Sequence, residues 1–277
     1  MNNKLLLIII FFICICFICI CFILILFSTE HLPSVLSSLP LVINPSQTQV
    51  AETSSRKTES LAKVEYTIYC FWTGNNEMSD NRIECLENLK NVSECNVLLI
   101  TKYNLSNYIL SDAPLHPAFQ YLSETHKADY LRTYFMHFYG GGYSDIKKTT
   151  GSWIPSFNKL KSNDNYWICG FKETKVGVAY EPHTDKWESL IGNAAYICKP
   201  QTLLTKEWYN SMLTLLDIKL ELLKINPSTH PQDSSESGTG YPIEWNEMLG
   251  RIFHNISYKY KEHMLNTLPI PICTNYR

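Results

Sequence analysis

The chain has 277 residues, ten cysteines and a formal net charge of -2, so its length suits one or two domains and its charge excludes a strongly electrostatic partner such as nucleic acid. Hydrophobic residues make up 45% and charged residues 18%, a balance that can bury a core and excludes global disorder. The apolar content is concentrated at the N-terminus. From Leu5 to Phe27 every residue is Leu, Ile, Phe or Cys, a run of 23 uncharged residues. As a helix it would span roughly 35 Å, enough for a hydrocarbon core of about 30 Å. A cleaved signal peptide has a shorter apolar region and ends at a small-residue site, which Phe27-Ser28-Thr29-Glu30 does not resemble. Lys4 precedes the run and Glu30 follows it, so the positive-inside bias keeps the N-terminus cytoplasmic. The expectation is a signal anchor over 1–27 in a single-pass type II arrangement, with the rest of the chain in the lumen of the Golgi or another secretory compartment.

Residues 28–63 are rich in Ser, Thr, Pro and Gln and read as a disordered stem, because such a composition buries too little apolar surface to offset its ordering entropy. Residues 64–277 are the right size for one α/β domain. Cys14, Cys16, Cys19 and Cys21 fall in the apolar run and read as lipid-facing. Of the other six, Cys70 and Cys169 sit in strand-like runs as buried thiols, and Cys85 with Cys95 is the one suggested disulfide. Sequons at Asn91, Asn104 and Asn255 agree with lumenal exposure but carry little weight.

Within the domain, Tyr66 to Trp72 has the β-branched and aromatic content of a buried strand, stopped by Thr73-Gly74-Asn75-Asn76. A helix over Asn81 to Leu89 and a strand over Asn96 to Thr101 complete a βαβ unit with a parallel sheet. Ala128, Leu131, Phe135 and Phe138 recur at the spacing of one buried helix face, and Gly140-Gly141-Gly142 ends that helix. Strands are expected over Tyr166 to Phe171, Val176 to Tyr180 and Ala194 to Cys198. A long helix is expected over Gln201 to Lys224 and a final one over Ile243 to Phe253, with a polar loop between them. No internal repeat is present.

No Walker A loop, Gly-x-Gly-x-x-Gly helix start, nucleophile elbow or Cys-x-x-Cys pair occurs. His126 and His137 lie eleven apart with no Cys or acidic ligand set nearby, which argues against zinc. Asp129 and Arg132 are three apart, hence neighbours on one helix, and the glycine turn can return Asp145 to the same sheet.

The stretch His126 to Lys148 resembles the signature of glycosyltransferase family 32 and the capsular-polysaccharide-synthesis group, also seen in large clostridial toxin glucosyltransferase domains. There an Asp-x-x-Arg on a helix is followed by Gly-Gly, an aromatic and Asp-x-Asp; here Asp129, Arg132, Gly141, Gly142, Tyr143 and Asp145 fall on that order. The resemblance implies a GT-A fold of Rossmann-like α/β class, a nucleotide-sugar donor and hexosyl transfer, usually retaining. It makes Asp129 a partner of donor hydroxyls, Arg132 of sugar or phosphate oxygens and Asp145 of the ribose and a metal. Gly141 and Gly142 line the donor site, and Trp72 offers a stacking face for the base. Asp145, Lys147 and Arg132 are the candidate catalytic residues.

The departure from the pattern is Lys147, which stands where the second carboxylate of Asp-x-Asp is expected. An ammonium cannot ligate Mn²⁺ or Mg²⁺ and repels it. Two expectations follow: Lys147 replaces the metal's charge against the diphosphate, or Asp145 keeps a metal with another partner such as His254. Asn193, Glu244 and Trp245 are candidates for the acceptor side, toward a glycan, lipid-linked sugar or protein. The competing reading is a non-catalytic, membrane-tethered nucleotide- or carbohydrate-binding protein derived from a glycosyltransferase.

Overall fold

A computed structural model describes residues 66–277; the apolar run, its four cysteines and the whole stem lie outside the described residues. Strand β1 (Thr67–Trp72) alternates its side chains across the sheet, Ile68 and Cys70 to one layer and Tyr69 and Phe71 to the other. It leads through α1 (Asp80–Val92) to β2 (Asn96–Thr101), which pairs with β1 in parallel from Thr67↔Asn96 to Trp72↔Thr101. This is the expected βαβ unit. Ser79 caps α1 by accepting from the Arg82 N–H at 3.3 Å.

Helix α2 (Glu124–Phe138) starts at Ser123, whose hydroxyl accepts from the His126 N–H, and buries residues on nearly every side. Leu131 and Phe135 are fully buried, as the spacing predicts. The helix stops at Gly140, which takes φ +65° and donates its N–H to Phe135 O at 3.0 Å. A Cβ there would meet Pro200 Cδ at 2.6 Å and Cys198 O at 2.9 Å. Gly140→Ala is therefore expected to cost at least about 1–2 kcal/mol; an unchanged urea midpoint would contradict this account of the turn.

Strand β3 (Gly141–Ser144) follows, then the short β4 (Lys148–Thr149), α3 (Ile154–Lys161), β5 (Ile168–Lys172), β6 (Ile191–Cys198), α4 (Leu203–Ile225), α5 (Gly250–Lys259), β7 (Met264–Leu265) and β8 (Pro271–Ile272). The main sheet runs in the order β2-β1-β3-β6-β5-β7. β1 is parallel to both β2 and β3, β6 is antiparallel to β3 and β5, and β5 is parallel to β7. The fold is thus mixed α/β with a central, mostly parallel sheet. One layer packs α2 and α4 on the sheet through Leu131, Phe135, Tyr196, Trp208 and Met212. The other packs α1 and α3 through Leu86, Leu89, Phe157 and Leu160. Burying each such side chain is worth about 1.5–3 kcal/mol.

Three expectations need correction. Val176 to Tyr180 is not a strand: Lys175–Gly177 forms a 3-10 turn and Val176 is 97% exposed, so its apolar side chain is not buried against a sheet. The last helix begins at Gly250 rather than Ile243, because the Ile243 carbonyl accepts from the Ser235 N–H at 2.8 Å and Glu247 caps the Glu244 N–H at 3.0 Å. Cys85 and Cys95 are both free thiols, Cys95 donating to Ser93 O. Cys70 and Cys169 are buried. At the sequons, the Asn104 amide is closed into a local ring with Thr101 and Leu99, and Ser93 and Ser257 are fully buried. No helix among the described residues is long and apolar enough to cross a membrane.

Candidate active site

Because β6 runs antiparallel between β3 and β5, the carboxyl ends of β1, β3 and β5 share one edge of the sheet. Trp72 ends β1, Asp145 directly follows β3 and Glu173 directly follows β5. All three line one cavity of about 780 Å³. Ligands of open α/β sheets bind at this edge.

At its floor lies a chain of charges. Arg132, 6% exposed, sets one Nη 3.1 Å from Asp129 Oδ1 and 3.3 Å from Asp145 Oδ1. Its other Nη donates to Asn193 O at 3.0 Å, and the guanidinium lies over the Tyr143 ring, 4.2 Å from the centroid. The Tyr143 hydroxyl donates to Asp145 Oδ1 at 2.6 Å, and Lys147 donates to Asp145 Oδ2 at 2.9 Å. Asp145 is held in place from behind by its N–H, which donates to Ala194 O at 2.8 Å. The helical spacing thus joins Asp129 to Arg132, and the glycine turn brings Asp145 and Lys147 to them.

Burial sets the protonation states. It pushes the Asp129 carboxyl up to about 6, against the pull of Arg132 and with the help of the nearby Asp145 charge. Burial acts the same way on Asp145, but Lys147, Arg132 and the Tyr143 hydroxyl outweigh it and hold that carboxyl below its ordinary value. Asp145 is therefore the firmly ionised member.

The rim holds groups that sequence reasoning missed. Arg82 lies over both Trp72 and Tyr276, at 6.0 and 4.7 Å from their ring centroids, and donates to Ile146 O at 2.8 Å. Lys147 Nζ lies 4.8 Å from the Tyr276 centroid and the Arg277 guanidinium 5.6 Å. Three cations thus gather around one tyrosine at the cavity wall. Arg82 looks like an ordinary surface position of α1, and Tyr276 comes from a tail 131 residues beyond Asp145, so no local pattern signals either. Trp72 lines the cavity with its indole N–H bound to Asn76 O.

Other predicted residues are placed differently. Gly141 and Gly142 do not line the cavity. Gly141 takes φ +83° and a Cβ on it would meet Thr67 O at 3.0 Å, while one on Gly142 would meet Ile68 and Trp153 at 3.1 Å, so both let β3 approach β1. Asn193 and Trp245 line the cavity, whereas Glu244 pairs with Arg251 outside the lining. His254 faces Glu173 and Ala179 rather than Asp145.

A divalent metal does not fit here. Both Asp145 oxygens already accept from donors, and one of those donors is the Lys147 ammonium. Among the described residues no three His, Cys, Asp or Glu side chains converge as a ligand set. A carboxylate offers about four acceptor positions, so after Tyr143, Arg132 and Lys147 roughly one remains on Asp145, which suits a hydroxyl donor.

The capsular polysaccharide synthesis protein family matches residues 37–191, more than half of the chain and a span that includes Asp129, Arg132, Asp145, Lys147 and Glu173. No curated protein matches the chain. Five solved chains do. One is a PaToxG glycosyltransferase, to which this chain is similar at 12% identity over 76% of each chain, with a TM-score of 0.40.

Proposed function

We infer that the chain, which belongs to the capsular polysaccharide synthesis protein family, is a glycosyltransferase of the GT-A type. It moves a hexose from a nucleotide-diphosphate donor to a glycan, lipid-linked or protein acceptor. The observation that carries this reading is the Asp129–Arg132–Asp145–Lys147 chain, its first two members buried and its last two half-buried, in a cavity at the carboxyl edge of the sheet. Buried charges are costly unless paired, and a core of this size needs none of them for stability. Their place at a ligand-binding edge gives them a use.

In this reading Trp72 stacks on the base and the free acceptor position of Asp145 takes a ribose hydroxyl. Asp129 and Arg132 hold sugar hydroxyls and phosphate oxygens. Lys147, with Arg82 and Arg277 beside it, faces the diphosphate. Arg82, Lys147 and Arg277, gathered around Tyr276, supply the positive charge at the diphosphate end that a divalent cation would bring. The departing nucleoside diphosphate is stabilised there without a metal. Retention of anomeric configuration is what the resemblance to family 32 implies, and the Leu5 to Phe27 run would tether the domain to a secretory-pathway membrane as a type II protein.

The test uses the full chain in detergent with uridine and guanosine diphosphate hexoses, followed by release of nucleoside diphosphate with chelator or with Mn²⁺. Turnover is expected to survive the chelator and to fall about 10²–10³-fold in Lys147→Ala. A strict Mn²⁺ requirement with a harmless Lys147→Ala would refute the lysine's role. Nucleotide binding without any turnover would replace the enzyme by a binding protein.

A further inference from the structure

The cavity wall beside Lys147 is built by a segment far along the chain. Ile270, Pro271, Cys273, Tyr276 and Arg277 all line the cavity. The segment is fastened along its length. The Leu268 N–H donates to Gly170 O on β5 at 3.0 Å, the Thr150 hydroxyl donates to Ile270 O at 3.1 Å, and β8 pairs with β4 through Lys148↔Ile272 and Thr149↔Pro271. The Asn81 amide donates to Arg277 O at 2.7 Å, which ties the segment to the first turn of α1. Lys147 directly precedes β4, so the pairing of β4 with β8 places the lysine and the segment in register with each other.

Tyr276 is the point where this segment meets the cations. It is half-buried against the layer that holds α1 and α3. Arg82 and Lys147 lie 4.7 and 4.8 Å from its ring centroid, although one comes from α1 and the other from the turn after β3. Two cations brought to one place repel each other, and the face of an aromatic ring attracts both. Burial works against the Lys147 charge, but Asp145 outweighs it and raises the ammonium above its ordinary value, so the cation persists. Both groups keep donors in reserve among the described residues. Lys147 donates to Asp145 Oδ2 from an ammonium with three N–H groups, and Arg82 donates to Ile146 O from a guanidinium with five.

We propose that Tyr276 is a positioning residue of the diphosphate site, its ring holding the Arg82 guanidinium and the Lys147 ammonium as a pair; this rests on the glycosyltransferase reading above and deepens it. The tyrosine acts through the two cations, whose remaining N–H groups meet the phosphate oxygens. Its effect is therefore selective. A nucleoside diphosphate has a phosphate for each cation, whereas a nucleoside monophosphate engages one of them and gains little from the pairing. A side chain without an aromatic face leaves the two charges to repel each other and turn toward solvent, so the site is no longer preorganised for the diphosphate.

Calorimetric binding to the full chain in detergent tests this, with uridine diphosphate against uridine monophosphate and the two guanosine counterparts as probes. Tyr276→Leu keeps an apolar side chain and loses the ring; it is expected to weaken diphosphate binding about tenfold and monophosphate binding by less than about twofold. Tyr276→Phe keeps the ring and is expected to restore most of the affinity. Thermal melts separate these effects from misfolding, and where Tyr276→Leu fails to fold, Tyr276→Met replaces it with the same expectation. A folded Tyr276→Leu protein with wild-type diphosphate affinity overturns the proposal alone. So does an equal loss for both nucleotides, which would make Tyr276 a support of the wall or a contact of the nucleoside. A Tyr276→Phe protein as weak as Tyr276→Leu overturns it as well, since the hydroxyl would then carry the role. A wild type that binds none of the four nucleotides removes the glycosyltransferase reading and this inference with it.

Discussion

Arg132→Met is expected to destabilise the protein by about 3–5 kcal/mol, because it leaves Asp129 without a cation in a buried position. Asp129 is 3% exposed, and Arg132 is its only ion-pair partner among the described residues. Asp145 keeps Lys147 and the Tyr143 hydroxyl, so the loss falls mainly on Asp129. Arg132→Lys keeps a charge but not the planar fork that reaches Asp129, Asp145 and Asn193 O together, and it is expected to recover only part of the loss. The clearest measurement is a double-mutant cycle in urea. Asp129→Asn is expected to return about 1–3 kcal/mol more in the Arg132→Met background than it gains in the wild type, the range expected for residues in one network. Additive effects would mean that the two side chains do not share the buried pair, and the site as drawn would lose its centre.

Much of this centre was legible in the chain because its geometry is local. A separation of three on a helix fixes Asp129 beside Arg132, and a glycine at the helix end lets the chain turn back, so the approach of Asp145 follows from short-range rules. Hydrophobic spacing located β1, α1, β2, α2 and α4 within a few residues. What failed was decided by partners far along the chain. The apolar content of Val176 to Tyr180 suits a strand, yet Lys175–Gly177 turns as a 3-10 helix and leaves Val176 exposed. Ile243 to Leu249 has helical content, yet its backbone is engaged by Ser235 and Glu247. The glycines at 141 and 142 match a donor-site signature, but their lack of Cβ serves the packing of β3 on β1. Arg82, Glu173, Tyr276 and Arg277 were missed because what marks them is convergence on one cavity, a property of the folded chain alone.

The same buried chain gives the protein an unusual dependence on pH. Between about pH 6.5 and 4 the wild type is expected to lose stability, because burial depresses His126 from 6.5 to about 4 and His137 likewise. The unfolded chain binds more protons at those histidines throughout that window, so stability rises with pH across it. Asp129 acts in the opposite sense. Its carboxyl is raised by burial from 3.8 to about 6, so between those values the folded state binds the extra proton and gains stability as pH falls. About two pKa units correspond to about 3 kcal/mol. Asp145 lies outside the window, since its depressed carboxyl titrates below 3.8. Asp129→Asn removes the titration and keeps a neutral side chain of the same shape beside Arg132. The variant is expected to exceed wild-type stability by about 1–3 kcal/mol at pH 7.5 and to match it near pH 4, so that its acid decline is steeper. Donor binding should be lost in parallel, the trade expected where a charge is kept for a ligand at the expense of the fold. Urea midpoints at four or five pH values decide the matter. If Asp129→Asn runs parallel to wild type across the window, Asp129 is not held as a strained carboxylate and its place in the donor site needs another explanation.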